Sequence, residues 1–526
     1  MKIWGLALQL LLISPAAAAE YPPAAAVVAA QPAAVEAGVA MLNSGGNAFD
    51  AAAATALALG VVEPGSSGVG GGGFFLLYIA KERRFVMIDA RETAPELAGD
   101  GSIYRNRSSI DGPQAAAVPG LLAGVDHLLK RYGRLSRAQI VAPAVTLAER
   151  GFVAGARLQR MINWRKKVMN YSARQLFTTH ATIRQPALAQ LLMRYAERGV
   201  DDLYRGESAG RLVADMLRDG GLIRLSDLDR YRVVERDPVQ FEWQGYQIIS
   251  ASLPSSGGLV LQEIFGILAS DNLRQTGAAE RTHLLVEAMK RAYRDRNQSM
   301  GDSDFVTVPN LTAPAHLQAM RASIEMDQAT PACQLSNRSE PAGGGRDTTH
   351  FSIIDSAGNM VSATLSINYG FGSGYISPST GILLNDEMDD FATQPGEPNA
   401  YGLIQGAANA VAPNKRMLSS MTPTIIVGPQ RTLILGTPGG SRIISMVALA
   451  GLRFMLKEGE PKEWINHGRF HHQLWPDVVQ YEQGALTTEM IKSLRQRGHH
   501  LKQVRNYGNM EAILWRRKQN SLTLLP

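Results

Sequence analysis

Apolar positions change period along this chain, and the changes divide it into helical and extended territory. From 27 to 63 alanines and leucines recur at helical spacing. Ala34 to Leu42 predicts a helix stopped by Asn43-Ser44-Gly45-Gly46, and Asn47 to Leu59 a second, with Asp50 in its first turn. Phe74-Phe75-Leu76-Leu77-Tyr78-Ile79 is a buried-strand run, and Phe85 to Ala90 reads as another strand. Residues 120–235 are largely helical in pattern, with turn signals at Gly133, Gly151, Gly199 and Gly220-Gly221. Strand character returns over Pro238 to Ala251, then helical spacing at Leu259 to Ser270 and Thr282 to Arg296. The segment 300–347 is rich in Pro, Ser, Asp and Gly and reads as a mobile linker.

Beyond it strands dominate. Thr348 to Asp355 and Met360 to Asn368 flank Ser356-Ala357-Gly358-Asn359, a hairpin signal; a four-residue loop there sets Asp355 opposite Met360. That register brings Thr348 against the 366–368 region, with Ser366 and Asn368 on one face. Thr424 to Val427 and Leu433 to Gly436 read as strands, and Ile443 to Lys457 as a helix.

Composition narrows the class. The chain has 526 residues, 45% hydrophobic and 19% charged, with a net charge of +6, which fits a soluble globular protein of two to four domains' worth of material. There is no dense Lys/Arg tract of the kind a nucleic-acid footprint uses, so no nucleic-acid partner is expected. Lys2, the apolar run Ile3 to Ile13 and Ala17-Ala18-Ala19 have the layout of a signal peptide over 1–19. That run is too short to span a bilayer. The expectation is an exported protein, periplasmic or secreted, with no membrane attachment after signal removal. A single cysteine, Cys333, provides neither an internal disulfide nor a thiolate metal site.

Several stretches carry candidate chemistry. Gly68, Gly70 and Gly73 match G-x-G-x-x-G, but a strand follows instead of a helix, which rejects a dinucleotide site. The glycines instead suit close backbone approach to something packed over the loop. Arg91, at a strand end, is a candidate carboxylate clamp; the alternative is a surface ion pair with Glu92. In Asn385 to Phe391, Glu387 and Asp390 share a face at i, i+3, suited to a substrate ammonium or simply a solvated acidic turn. The spacing is not that of a calcium loop, and no metal is expected. Pro395 to Asn409, with Tyr401 in its middle, reads as a lid. Gly439-Gly440, between strand and helix, exposes backbone N–H groups suited to an oxyanion. His467 and His471 lack a zinc-protease glutamate and read as structural.

Gly343-Gly344-Gly345-Arg346-Asp347-Thr348-Thr349-His350 runs directly into a strand. On these residues alone, a glycine loop feeding an ordinary strand is the simpler reading. The sharper one is self-cleavage between Asp347 and Thr348, which gives Thr348 an α-amine beside its own hydroxyl and so an activated nucleophile.

Taken together, Gly45–Ala51, Gly70–Gly73, Arg91–Pro95, Pro254–Gly258, Asp347–His350, Asn385–Phe391, Leu418–Met421 and Pro438–Arg442 resemble the γ-glutamyltransferase (glutathione hydrolase) family of N-terminal-nucleophile hydrolases, in that family's order. The resemblance implies an α+β fold, a four-layer αββα sandwich built from a large subunit (20–347) and a small subunit (348–526) of one autocleaved precursor. It implies a glutamyl ester on Thr348, assisted by Thr349, with Gly439 and Gly440 as oxyanion donors. Arg91, Ser419 and Ser420 would hold the donor α-carboxylate. Glu387, Asp390, Asn368 and Ser366 would hold its ammonium, and Tyr401 would cover it. Glutathione would be the donor, water or an amino acid or peptide the acceptor, and no cofactor takes part. The chain departs from the family at its end, which lacks an Asp-Pro-Arg segment and closes on Leu524-Leu525-Pro526; that puts the last strand and the sheet edge in question. Rival readings are a cephalosporin acylase, a poly-γ-glutamate-processing relative, or an uncleaved secreted protein that binds γ-glutamyl compounds without turnover.

Overall fold

A computed structural model describes residues 21–178, 182–336 and 348–526. The proposed signal peptide and Asp347 lie outside the described residues.

Twelve strands build two six-stranded sheets. In chain order they are β1 (Ala26–Ala29), β2 (Gly72–Ile79), β3 (Arg84–Ala90), β4 (Val234–Arg236), β5 (Val239–Trp243), β6 (Tyr246–Ser250), β7 (Thr349–Ile354), β8 (Met360–Ser366), β9 (Thr424–Val427), β10 (Arg431–Gly436), β11 (Glu511–Arg516) and β12 (Ser521–Leu525). The first sheet has the order β1-β7-β8-β2-β3-β4 and the second β12-β11-β10-β9-β6-β5, with antiparallel pairing throughout. Each sheet draws strands from both sides of residue 347, so the two segments share one core.

Alternation along the strands assigns the layers. Phe351 and Ile353 of β7 pack with Leu57, Leu59 and Ile88 beneath the N-terminal helices. Ile354 packs with Leu76, Ile249, Ile425, Ile434 and Ile513 between the sheets. Leu433 and Leu435 of β10 pack with Ile264, Ile444 and Val447 under the helices Gly257–Ile267 and Ile443–Leu456. The result is the αββα sandwich that the resemblance implied.

The helix Ala48–Val62 is buried along its whole length. Its alanines let it lie close against β7 and β8. Asn47 and Asp50 form a capping box at its start, and Asp355, in the β7–β8 turn, accepts from Ala48 N at 2.9 Å. The helix is thus tied to the hairpin whose first strand follows Thr348.

Four expectations change. The β7–β8 loop has three residues between Asp355 and Asn359, with Gly358 at φ +84°, and Met360 faces Ile354 instead of Asp355. The left-handed glycine closes a tighter turn than the four-residue signal suggested. The Pro238–Ala251 stretch is a hairpin, β5 and β6, that turns at Gln244-Gly245, both at positive φ. Of the linker read over 300–347, residues 300–336 are folded, with helices Pro314–Ala322 and Ala332–Leu335. Charged groups of the helix Ala278–Ser299 fasten them: Asp295 to His316 at 2.6 Å, Arg291 to Ser323 at 2.8 Å and Lys290 to Thr330 O at 2.8 Å. Polar composition there reflects these bonds. Finally, despite the divergent ending, β12 forms the edge of the second sheet.

Candidate active site

Thr348 immediately precedes β7, and its side chain is buried. By alternation it lies on the face of His350 and Ser352, which point between the sheets: Ser352 Oγ donates to Glu511 O, and a Cβ on Gly436 would touch the His350 ring at 2.2 Å. Thr349 takes the opposite face, and its hydroxyl donates to Glu63 at 2.7 Å. Glu63 is the residue that ends the helix Ala48–Val62.

A small cavity opens in front of Thr348. Of the residues singled out in the sequence, it brings together Thr348, Arg91, Ser366, Asn368, Asp390, Tyr401, Ser419, Ser420 and Gly440. Thr349, Glu387 and Gly439 are not among its lining.

Each wall has a local cause. Gly70 and Gly71 admit close backbone contact, since a Cβ there would meet Leu383 O at 2.0 Å and Ser366 O at 2.2 Å. The run thus packs against the segments carrying Ser366 and the acidic turn, as its glycines predicted. Asn385 fastens that turn by donating to Gly70 O at 2.7 Å and Ala117 O at 2.9 Å. Glu387–Asp390 forms a 3-10 turn. Asn368 sits at φ +71°, a left-handed backbone, with its amide donating to Asp386 O at 3.1 Å. The Pro254–Gly258 motif holds the serine pair: Ser419 N donates to Pro254 O, and Ser256 Oγ to Ser419 O, both at 2.8 Å.

The segment around Tyr401 folds over the cavity. Tyr401 Oη donates to Asn368 O at 3.1 Å, Gln405 donates to Asp390 O at 2.9 Å, and Ala400 N donates to Asp389 at 2.8 Å. The Tyr401 ring lies against Gly440, where a Cβ would meet it at 2.3 Å. His471 is structural, bonded to Ser445 at 2.8 Å and to Gln473 at 2.9 Å, and Gln473 in turn donates to Tyr401 O.

Arg91 is 1% exposed and lies 2.6 Å from Glu387, 2.5 Å from Asp390 and 3.5 Å from Glu92. The surface pair with Glu92 is therefore not what forms. Burial works against the Arg91 charge, and Glu387, Asp390 and Glu92 outweigh it, so the guanidinium stays charged. Burial pushes the Glu92 carboxyl up to about 7, against the pull of Arg91. It also pushes Glu387 well above the usual carboxylate range, while Arg91 opposes this. The i, i+3 pair read as an ammonium site thus divides: Asp390 reaches both Arg91 and the cavity, whereas Glu387 turns to Arg91.

Sequence reading missed Arg296, which lines the same cavity at 1% exposure. A signal was present. Leu285, Met289, Ala292 and Arg296 follow helical spacing, so an arginine continues the buried stripe of an amphipathic helix. It was also silent on the cluster His283, Glu287 and His499, whose ligand atoms lie within 4.8 Å of one another. There Lys290 at 3.0 Å and Arg291 at 2.6 Å take the Glu287 carboxylate, and the imidazoles bond each other at 2.8 Å, an environment hostile to a cation.

The gamma-glutamyltranspeptidase family model matches residues 34–524. The chain belongs to the γ-glutamyltranspeptidase family. It is 38% identical over 503 residues to a glutathione hydrolase proenzyme of Pseudomonas sp. (strain A14), with 91% of this chain and 87% of the relative covered. It is 36% identical over 502 residues to the glutathione hydrolase proenzyme of Escherichia coli (strain K12), covering 91% and 86%. Among solved structures, γ-glutamyltranspeptidase from Pseudomonas nitroreducens complexed with L-DON aligns with a TM-score of 0.55 at 33% identity, over 59% of this chain and 96% of that one. Cephalosporin acylase from Bacillus halodurans aligns over 99% and 97% with a TM-score of 0.83 at 24% identity, a likeness of fold alone. For a γ-glutamyltranspeptidase family member, the charges around Thr348 are the informative feature. No helix among the described residues is long and apolar enough to cross a membrane.

Proposed function

We infer that this chain is a γ-glutamyltransferase and glutathione hydrolase that matures by cleaving itself between Asp347 and Thr348. The observation that carries this reading is the cavity in which Thr348 meets Arg91, Asp390, Ser419 and Ser420. A γ-glutamyl donor presents a free α-carboxylate and α-ammonium away from its scissile amide, and these groups match that head. In the precursor, Thr348 Oγ attacks the Asp347 carbonyl carbon, the amide N–C bond breaks, and the acyl group moves from nitrogen to oxygen. That shift frees the Thr348 α-amine, and water then hydrolyses the ester, releasing the Asp347 carboxylate and the Thr348 hydroxyl.

In turnover, that amine takes the Thr348 hydroxyl proton as oxygen attacks the γ-carbonyl. Gly439 and Gly440 N–H groups stabilise the oxyanion. The leaving amine takes the proton, and water or an acceptor amine then takes the glutamyl group from Thr348. Thr349 supports the nucleophile, Arg91 with Ser419 and Ser420 holds the carboxylate, and Asp390 with Ser366 and Asn368 holds the ammonium. Glu387 anchors Arg91 at 2.6 Å behind the carboxylate contact, and Tyr401 closes the site. Residues 20–347 and 348–526 form the large and small subunits of a heterodimer, with 1–19 removed on export. The names of the proenzyme relatives support self-processing. The full charged head set argues against an acylase, and the Tyr401 cover argues against a polymer-processing groove.

The test is a denaturing gel of purified protein with an assay of γ-glutamyl anilide. Two bands and anilide release are expected. One full-length band without turnover would overturn this reading.

A further inference from the structure

Two buried guanidiniums face the cavity, and their surroundings differ. Arg91 meets two carboxylates at 2.6 Å or less. Arg296 meets only neutral acceptors: its Nε donates to Ser256 Oγ, one Nη to Asn297 Oδ1 and the other to Ser420 Oγ, each at 3.0 Å. Among the described residues no carboxylate lies within ion-pair distance of it. A buried charge is ordinarily paired, because desolvation costs far more than neutral hydrogen bonds return. Arg296 is therefore a cation whose counter-anion is still to arrive. Its contact with Ser420 has a second consequence. Since the Ser420 oxygen accepts from the guanidinium, its own O–H is directed away, toward the cavity that both residues line.

Local charge makes the same point. Asp390 already matches Arg91 at 2.5 Å, so a carboxylate brought to Arg91 alone would create an excess of negative charge. Adding Arg296 balances it. We propose that Arg296 is the second cation of the donor-carboxylate subsite, acting across the cavity and through the Ser420 hydroxyl, and that it restricts donors to γ-glutamyl compounds with an ionised α-carboxylate. This rests on the γ-glutamyl reading of the cavity and adds a residue outside the set legible in the motifs.

The experiment measures inhibition of γ-glutamyl anilide turnover by L-glutamate and by its α-carboxamide, in wild type, R296Q and R296K. Loss of a charge-assisted contact predicts that R296Q weakens L-glutamate about 10- to 100-fold and raises donor KM alike. The carboxamide, lacking the charge, should change by less than about threefold, and kcat likewise. R296K keeps the charge without the fork, so its loss is smaller and equally selective. It carries the comparison alone if R296Q does not yield two subunits. Equal losses on both ligands make Arg296 a packing residue and overturn the proposal. Absence of turnover in the mature wild type overturns the γ-glutamyl reading, and the proposal with it.

Discussion

In front of Thr348, the cavity sets Arg91, Arg296 and Asp390 within one small space; behind it, Thr349 donates to Glu63 in a packed, acid-lined interior. Arg91 holds its charge through pairing, and Arg296 awaits a charged ligand. The rear groups tend toward neutrality. Burial pushes Glu63 up, with Arg157 opposing, and pushes Glu511 up to about 8, with Glu63 adding to the effect. A charged front suits selection of a zwitterionic head. A rear that retains protons suits positioning the nucleophile without a rival charge. The two sides are separated by the alternation of a single strand.

Thr348→Ala removes the residue on which both sides converge, and its effect should be total. One uncut chain is expected on a denaturing gel, with no anilide release. Two subunits divided at that junction would show that Thr348 is not the maturation nucleophile.

Glu511 sharpens the contrast through pH. Its side chain is buried, and Oε2 has no hydrogen-bond partner among the described residues. The ordinary value is 4.5 and the folded value about 8, so between them the folded chain keeps a proton that the unfolded chain has released. Stability must then fall as pH rises through that window, by up to about 5 kcal/mol, and level off above it. Glu511→Gln should flatten this limb of Tm against pH and make the variant the more stable protein at pH ~9. A gap between the two proteins that stays constant from pH ~5 to ~9 would show that Glu511 holds no such proton.

Much of this arrangement was legible in the sequence, for identifiable reasons. Period and turn signals located the N-terminal helices, β2, β3, β9, β10 and both strands of the nucleophile hairpin, because each is a long apolar run between glycine, asparagine or proline breaks. Motif order assembled nine of the cavity residues. Register escaped, since one left-handed glycine at 358 removes a residue from the loop and no apolar pattern reports it. The fold of 300–336 escaped because its polar side chains bond to a distant helix. Arg296 escaped because charge pulls the reader toward solvent, although its place in the Leu285, Met289 and Ala292 stripe argued otherwise. Glu387 escaped because spacing gives the face of a turn and not which partner its carboxylate chooses.

Glu63→Gln tests whether front and rear are separable. Glu63 accepts from Thr349 at 2.7 Å and lies 3.3 Å from Arg157. Glutamine keeps the side-chain length and one oxygen for the Thr349 hydroxyl, but it replaces the second acceptor and the titratable proton with a fixed amide donor. Weakening a hydrogen bond worth about 1 kcal/mol predicts that two subunits appear about fivefold more slowly in a time course of maturation. Once mature, the variant should show donor KM within about twofold of wild type, since no front residue has moved. If KM rises as far as maturation slows, the strand transmits the rear change to the head site and the division fails. If maturation keeps its rate, Thr349 needs only an acceptor from Glu63, and the rear acid is packing rather than a proton-holding partner of the nucleophile.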